Sequence, residues 1–334
     1  CRGRGWPGDD AAHAPTGRAP HFGPGAAPAA ASAAGTPPPP AAAAGPGDEV
    51  LYAWRSFEAY PIWTQISGAT SVQVPLLPDE RHDLEGMLAA VTDRTRVIFI
   101  CNPNNPTGTG VDLDVIAAAY DASDGIVIVD EAYHEFMPDD QPRATTLLAG
   151  RPRLLISRTM SKAFAFAGAR VGYLVADPAA IDALRLVRLP YHLSALTQAA
   201  ATTALKHAPV MLAQVDDIRR QRDRIVAELP KLGYTPHASQ TNFVLFGGVD
   251  DPNAAFRALL DKGIIIRDVG IPNHLRVTAG TAAGWLGALS PDARLSLYLH
   301  VPYCRAICNY CGCNTKAARR QEPLDDYTDT LLEE

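Results

Sequence analysis

The amino-acid sequence predicts an α/β protein, with a large domain built on a mostly parallel sheet and a small α+β domain after it. Three observations carry that expectation. From Gly47 to about residue 206, short β-branched runs alternate with helical patterns, as they do when crossover helices join parallel strands. From about Pro209 to Leu232, the apolar residues Val210, Leu212, Val215, Ile218, Ile225 and Leu229 fall mainly on one helical face. After Gly233 the pattern becomes strand, helix, strand, strand.

In order, strands are expected at Val50–Tyr52, Ser71–Val74, Arg96–Cys101, Gly125–Val129, Arg153–Ser157 and Val171–Ala176. Helices are expected over Phe57–Ser67, Asp83–Leu88, Asp112–Tyr120 and Pro178–Arg188. The later part should hold strands at Asn242–Phe246, Ile264–Arg267 and Leu275–Ala279, with a helix over Pro252–Asp261. Residues 48–206 are thus expected to form the large domain and 207–283 the small one. Ligands of such sheets sit beyond the carboxyl ends of the strands, so residues just past each run are the first candidates for chemistry.

The 334 residues are 47% hydrophobic and 20% charged, which allows a sizeable core. A net charge of −6 argues against a nucleic-acid partner held through phosphate contacts. The longest apolar runs, such as Val97–Cys101, are strand-sized, so no membrane span is expected. Residues 1–47 are dominated by Ala, Pro and Gly, with Pro37–Pro40 consecutive. Such a stretch buries too little side-chain surface to offset ordering entropy and is expected to be disordered. The sequence starts at Cys1 without a charged-then-apolar leader and is read as a cytoplasmic fragment, incomplete at both ends.

Four motifs sit at or just past expected strand ends. They are Cys101-Asn102-Pro103-Asn104-Asn105-Pro106-Thr107-Gly108, Val129-Asp130-Glu131-Ala132-Tyr133, Thr159-Met160-Ser161-Lys162 continuing to Gly168-Ala169-Arg170, and Leu275-Arg276-Val277-Thr278. Taken singly, each has a plain structural reading. Asn102 to Gly108 are turn formers, Asp130 suits a helix N-cap, Phe57 suits a core, and a lysine after a serine is commonly a solvated surface residue.

Together and in this order, the motifs resemble those of fold-type I pyridoxal-phosphate (PLP) aminotransferases, particularly the histidinol-phosphate type. Arg188 to Ser194 and Ile265 to Gly270 share that resemblance, while Tyr52 to Tyr60 is also similar to aromatic amino acid aminotransferases of actinobacteria. The resemblance covers about residues 47–281. It implies a fold-type I PLP-dependent transferase, dimeric, exchanging an amino group between L-glutamate and an imidazole-bearing phosphate substrate through a small-molecule amino donor and a 2-oxo acid. An aromatic amino acid aminotransferase is the alternative.

The resemblance also implies roles. Lys162 matches the lysine that carries the cofactor as a Schiff base and moves the substrate proton. Asp130 matches the acid that keeps the pyridine nitrogen protonated. Asn105 and Tyr133 match donors to the ring oxygen, and Phe57 the aromatic stacked on the ring. Thr159, Ser161 and Arg170 match one side of a phosphate cup. Arg276 matches the arginine that takes the substrate carboxylate or its equivalent, and Arg267 is the candidate for a substrate phosphate. The family's Gly-rich turn at a helix N-terminus, which contributes backbone N–H groups to the phosphate, has no counterpart in residues 1–47, so weak PLP affinity and low turnover are expected.

Residues 284–334 change character. Cys304, Cys308 and Cys311, with Cys313 close behind, resemble the cysteine motif of radical S-adenosylmethionine (SAM) enzymes, specifically the opening of oxygen-independent coproporphyrinogen III oxidase. That resemblance implies a 4Fe–4S cluster with SAM at the fourth iron, and a chimaeric chain. A zinc site using Cys304, Cys308, Cys311 and either Cys313 or His300 is the other reading of the same residues.

Overall fold

A computed structural model describes residues 43–187, 192–261 and 264–281, together with backbone strands at 26–29, 303–304 and 316–317. Its centre is a seven-stranded sheet. Strands β1 (Ala26–Ala29), β2 (Glu49–Trp54), β3 (Thr70–Pro75), β4 (Thr95–Cys101), β5 (Ile126–Asp130), β6 (Leu154–Thr159) and β7 (Gly172–Val175) lie in the order β1-β7-β6-β5-β4-β2-β3. From β3 to β6 every pairing is parallel, and β7 and β1 add antiparallel at one edge.

This sheet explains why its strands read as unbroken apolar runs. Successive side chains of a strand point to opposite faces, and here both faces are covered. Leu51, Ile98, Ile100, Val127, Val129, Leu154 and Ile156 pack on one face beneath α2 (Leu84–Ala89) and α3 (Leu113–Asp121). Val50, Tyr52, Val97, Phe99, Ile128 and Leu155 pack on the other, beneath α1 (Ala59–Ser67) and α4 (Pro178–Val187). Full burial of each such side chain stabilises by about 1.5–3 kcal/mol. Gly68, at φ 77°, ends α1 in the left-handed conformation that favours glycine, and Asp83 starts α2 by accepting from the Gly86 N–H at 3.0 Å.

Strand order reverses between β2 and β4. Chain leaving β4 crosses one way to β5, while chain leaving β2 crosses the other way to β3. The loops that follow β2 and β4 therefore part, and a crevice opens beyond their carboxyl ends.

A three-stranded antiparallel sheet follows, from β8 (Thr235–Pro236), β9 (Phe243–Gly247) and β10 (Leu275–Thr278), in the order β10-β9-β8. Before it run α5 (Ala195–Lys206), α6 (Ala208–Met211) and α7 (Val215–Glu228), and α8 (Pro252–Leu260) lies between β9 and β10. Among the described residues, no helix is long and apolar enough to cross a membrane.

Three expectations need correction. The helix expected over Pro209–Leu232 is broken: α6 ends at Met211, α7 starts at Val215, and a 3-10 turn over Leu229–Leu232 takes in Pro230, which lacks the N–H an α-helix needs. Ile264–Arg267 is no strand, because only Arg267 pairs, in a single bridge to Arg276. Ala26–Ala29, inside the stretch expected to be disordered, pairs antiparallel with β7 at the sheet edge, where Pro28 is tolerated. Further on, Ala43 and Ala44 pack against the core.

Candidate active site

A cavity of about 250 Å³ occupies the crevice. Its floor follows from register. Cys101 of β4 pairs with Asp130 of β5, and Asp130 with Ser157 of β6, so the three form a row across the carboxyl ends of neighbouring parallel strands. Ser157 Oγ donates to Asp130 Oδ1 at 3.3 Å, and Tyr60 of α1 donates its phenol to Asp130 Oδ2 at 3.0 Å. Burial pushes the Asp130 carboxyl up, against the pull of Tyr60, Ser157, the Ala132 N–H and the Lys162 charge. Burial, then the neighbouring Asp130 charge, pushes the Cys101 thiol up to about 12, so it lines the floor un-ionised. Tyr60 stacks on Phe99 at 4.4 Å and 7°, which fixes the direction of its phenol.

The turn after β6 forms one wall. Thr159 Oγ1 donates to Ser161 Oγ at 2.9 Å and accepts from the Ser161 N–H at 3.1 Å, gathering two hydroxyls at one point. Arg170 faces the same cavity from a left-handed backbone at φ 51°, with Nη1 donating to the Ala167 carbonyl at 2.9 Å. Lys162 Nζ lies 5.3 Å from the ring centre of Tyr133, which is itself held edge-on by Phe243 at 5.1 Å.

The opposite wall combines both sheets. Arg276 of β10 reaches across to Asn105 after β4, its Nη1 donating to Asn105 Oδ1. Its guanidinium lies 4.4 Å from the centre of the Phe243 ring, and its Nε is buried without a hydrogen-bond partner. Arg267, paired with Arg276 through backbone, contacts Glu58 Oε2 at 3.2 Å. Phe57 packs edge-on against Tyr60 and Trp63, at 5.7 Å and 5.9 Å, and also lines the cavity.

Every residue singled out within the described chain therefore lies on this one cavity: Lys162, Asp130, Asn105, Tyr133, Phe57, Thr159, Ser161, Arg170, Arg267 and Arg276. The side chains of Cys304, Cys308 and Cys311 fall outside the described residues. Sequence reasoning passed over Tyr60, Ser157 and Glu58. Tyr60 carried a signal, since it follows Phe57 by three residues on the helical pattern. The buried pair behind the site was also missed: Arg158 Nη2 meets Glu131 Oε2 at 2.6 Å, and Glu131 Oε1 accepts from the Ala144 N–H at 2.8 Å. That pair anchors the chain just after β5 against the end of β6.

The profile of the family described as "Aminotransferase class I and II" matches residues 29–286. The chain belongs to that family. Among curated relatives, a histidinol-phosphate aminotransferase of Paenarthrobacter aurescens is 54% identical over 243 residues, covering 71% of this chain and 65% of the relative. One of Mycolicibacterium smegmatis is 49% identical over 255 residues, covering 75% and 67%. The chain thus spans about two thirds of the length of these family members. Among solved structures, the histidinol-phosphate aminotransferase of Sinorhizobium meliloti in complex with pyridoxal-5'-phosphate has a TM-score of 0.65 at 30% identity, over 72% of this chain and 67% of that one. The N-succinyldiaminopimelate aminotransferase of Mycobacterium tuberculosis has the same TM-score at 27% identity, over 72% and 69%. The family match stops at residue 286, short of the cysteine cluster.

Proposed function

We propose that the chain is the core of a PLP-dependent aminotransferase of the histidinol-phosphate type, moving an amino group between L-glutamate and an imidazole-bearing phosphate substrate. The observation that carries this reading is the convergence of Lys162, Asp130 and Arg276 on one cavity from β6, β5 and β10. The donor set fits PLP: a primary amine, a buried acid at the floor, and two hydroxyls with a guanidinium at one wall.

The chemistry PLP supplies when bound is an aldehyde that condenses with amines and a pyridinium ring that takes up an electron pair. Lys162 is the primary amine that would hold the cofactor, and as a free amine it would move the proton to and from the substrate carbon. Asp130, its oxygens oriented by Tyr60 and Ser157, has lone pairs left over and would be the acceptor for a protonated ring nitrogen of the cofactor. Asn105 gives its amide oxygen to Arg276, so its NH2 group is the side left to donate. Thr159, Ser161 and Arg170 take the cofactor phosphate.

Arg276 binds the substrate carboxylate, for which its partnerless buried Nε is a ready donor. Arg267 takes the substrate phosphate by exchanging part of its contact with Glu58. The enzyme acts in the cytoplasm as a homodimer, and Leu186 and Leu196, 87% and 81% exposed, supply apolar surface for the partner. For the cysteine stretch we retain the 4Fe–4S and SAM reading, which an anaerobic iron–sulfur spectrum of the reconstituted chain tests.

Borohydride reduction of the chain with PLP, followed by peptide mass mapping, tests the core claim. A pyridoxyl group confined to Lys162, together with transfer from L-glutamate to the imidazole phosphate, is the expected result. Adducts scattered over surface lysines overturn it.

A further inference from the structure

Glu80, His237 and His274 come from three separate segments, and none lines the catalytic cavity. Their carboxylate oxygen and imidazole nitrogens lie within 4.8 Å of one another. Nε2 of His237 and Nε2 of His274 are 3.0 Å apart. The His274 Nδ1–H donates to the Pro272 carbonyl at 2.7 Å. A carbonyl only accepts, so the proton of the neutral ring sits on Nδ1 and the Nε2 lone pair points at His237. Metal-binding histidines are oriented in this way, by a backbone carbonyl on the far ring nitrogen. Gly247 clears the space, because a Cβ there would meet His274 Nε2 at 2.8 Å. Glu80 is held in left-handed backbone at φ 64°, its carbonyl accepting from Thr109 Oγ1 at 3.0 Å.

We propose that Glu80, His237 and His274 form a site for one divalent transition-metal cation of the zinc type, joining the loop after β3 to the small sheet. Two imidazoles and one carboxylate suit such a cation, and three protein ligands leave a fourth position for water. Tetrahedral bonds of about 2.0–2.1 Å set ligand nitrogens about 3.3 Å apart, close to the spacing here. Without the cation, His237 Nε2–H donates to His274; with it, the His237 proton moves to Nδ1 and both Nε2 lone pairs turn to the metal. The site also braces the catalytic loop. Thr109 shares a hydrogen bond of 2.7 Å with Thr107, which accepts from Asn104 at 2.9 Å, next to Asn105.

The test uses the full chain carrying Cys304→Ser, Cys308→Ser, Cys311→Ser and Cys313→Ser, so that no clustered thiol competes. Chelator-treated protein is titrated with zinc chloride by calorimetry in phosphate-free buffer, and its thermal midpoint is read with and without zinc. One equivalent per chain and a raised midpoint are expected. His237→Ala and His274→Ala should each weaken binding at least 100-fold, and Glu80→Gln about tenfold. Glu80→Gln sits in a surface loop and reports even if a histidine variant fails to fold. Absence of stoichiometric uptake, or unchanged affinity in Glu80→Gln and in the folded histidine variants, overturns the proposal.

Discussion

Arg276 and Asn105, 171 residues apart in the chain, are joined by a hydrogen bond from guanidinium Nη1 to amide oxygen. The contact orients both groups at once. The amide oxygen is taken up by this contact, which leaves its NH2 to donate elsewhere, and the guanidinium lies 4.4 Å from the centre of the Phe243 ring.

Arg276→Lys should therefore separate substrate binding from cofactor binding. Lysine keeps a charge but loses the planar fork. Loss of a hydrogen bond to a charged group costs about 1.5–3 kcal/mol, so KM for L-glutamate should rise roughly 10- to 100-fold. The Lys162 adduct formed on borohydride reduction should be unchanged, as read by mass mapping.

Tyr60→Phe keeps the stack on Phe99 and removes one donor from Asp130. The carboxyl then rises further, and the acid is less able to hold a cationic ring nitrogen. PLP affinity, followed by fluorescence titration, should fall by about tenfold, equivalent to about 1.4 kcal/mol.

Glu131→Gln leaves Arg158 buried beside a neutral group. Breaking one partner of a buried pair costs about 3–5 kcal/mol, so the urea midpoint should fall markedly. Replacing Arg158 and Glu131 together by Met and Leu should restore part of that loss.

Two buried groups give stability opposite slopes with pH. Burial pushes the Glu135 carboxyl up to about 8. Between its unfolded value and that point the native state holds a proton the unfolded chain has released, so stability falls as pH rises. Glu135→Gln should remove this loss, on the order of 4 kcal/mol by pH 8. Burial pushes the His82 imidazole down to about 4. The unfolded chain binds the extra proton there, so stability falls as pH drops from about 6.5 to about 4. Urea titrations across pH 4–8.5 on the unsubstituted chain and on Glu135→Gln check the two windows.

The parts of this fold that were legible in sequence are those with local causes. The strands β4 and β5 stood out because burial on both faces makes them continuous apolar runs, and the residues just past them mark the site by position alone. What stayed hidden depends on distant partners. Ser194 caps α5 by accepting from Thr197 N–H at 3.0 Å, yet the Ala- and Thr-rich stretch behind it has a weak apolar stripe, so α5 went unnoticed. Nothing local foretold that β7 would add antiparallel. The phenol of Tyr60 gained its role only when register set Asp130 beneath it.

The order in which the cavity is completed during synthesis follows from its two-sheet construction. The wall bearing Lys162 leaves the ribosome before Arg276 does, by on the order of ten seconds at ordinary elongation rates. During that interval the nascent chain holds Lys162, Asp130, Thr159 and Ser161 without Arg276, the residue of the opposite wall. On the proposed function, cofactor capture would precede substrate discrimination in the life of each molecule, and a pause before β10 would prolong that interval.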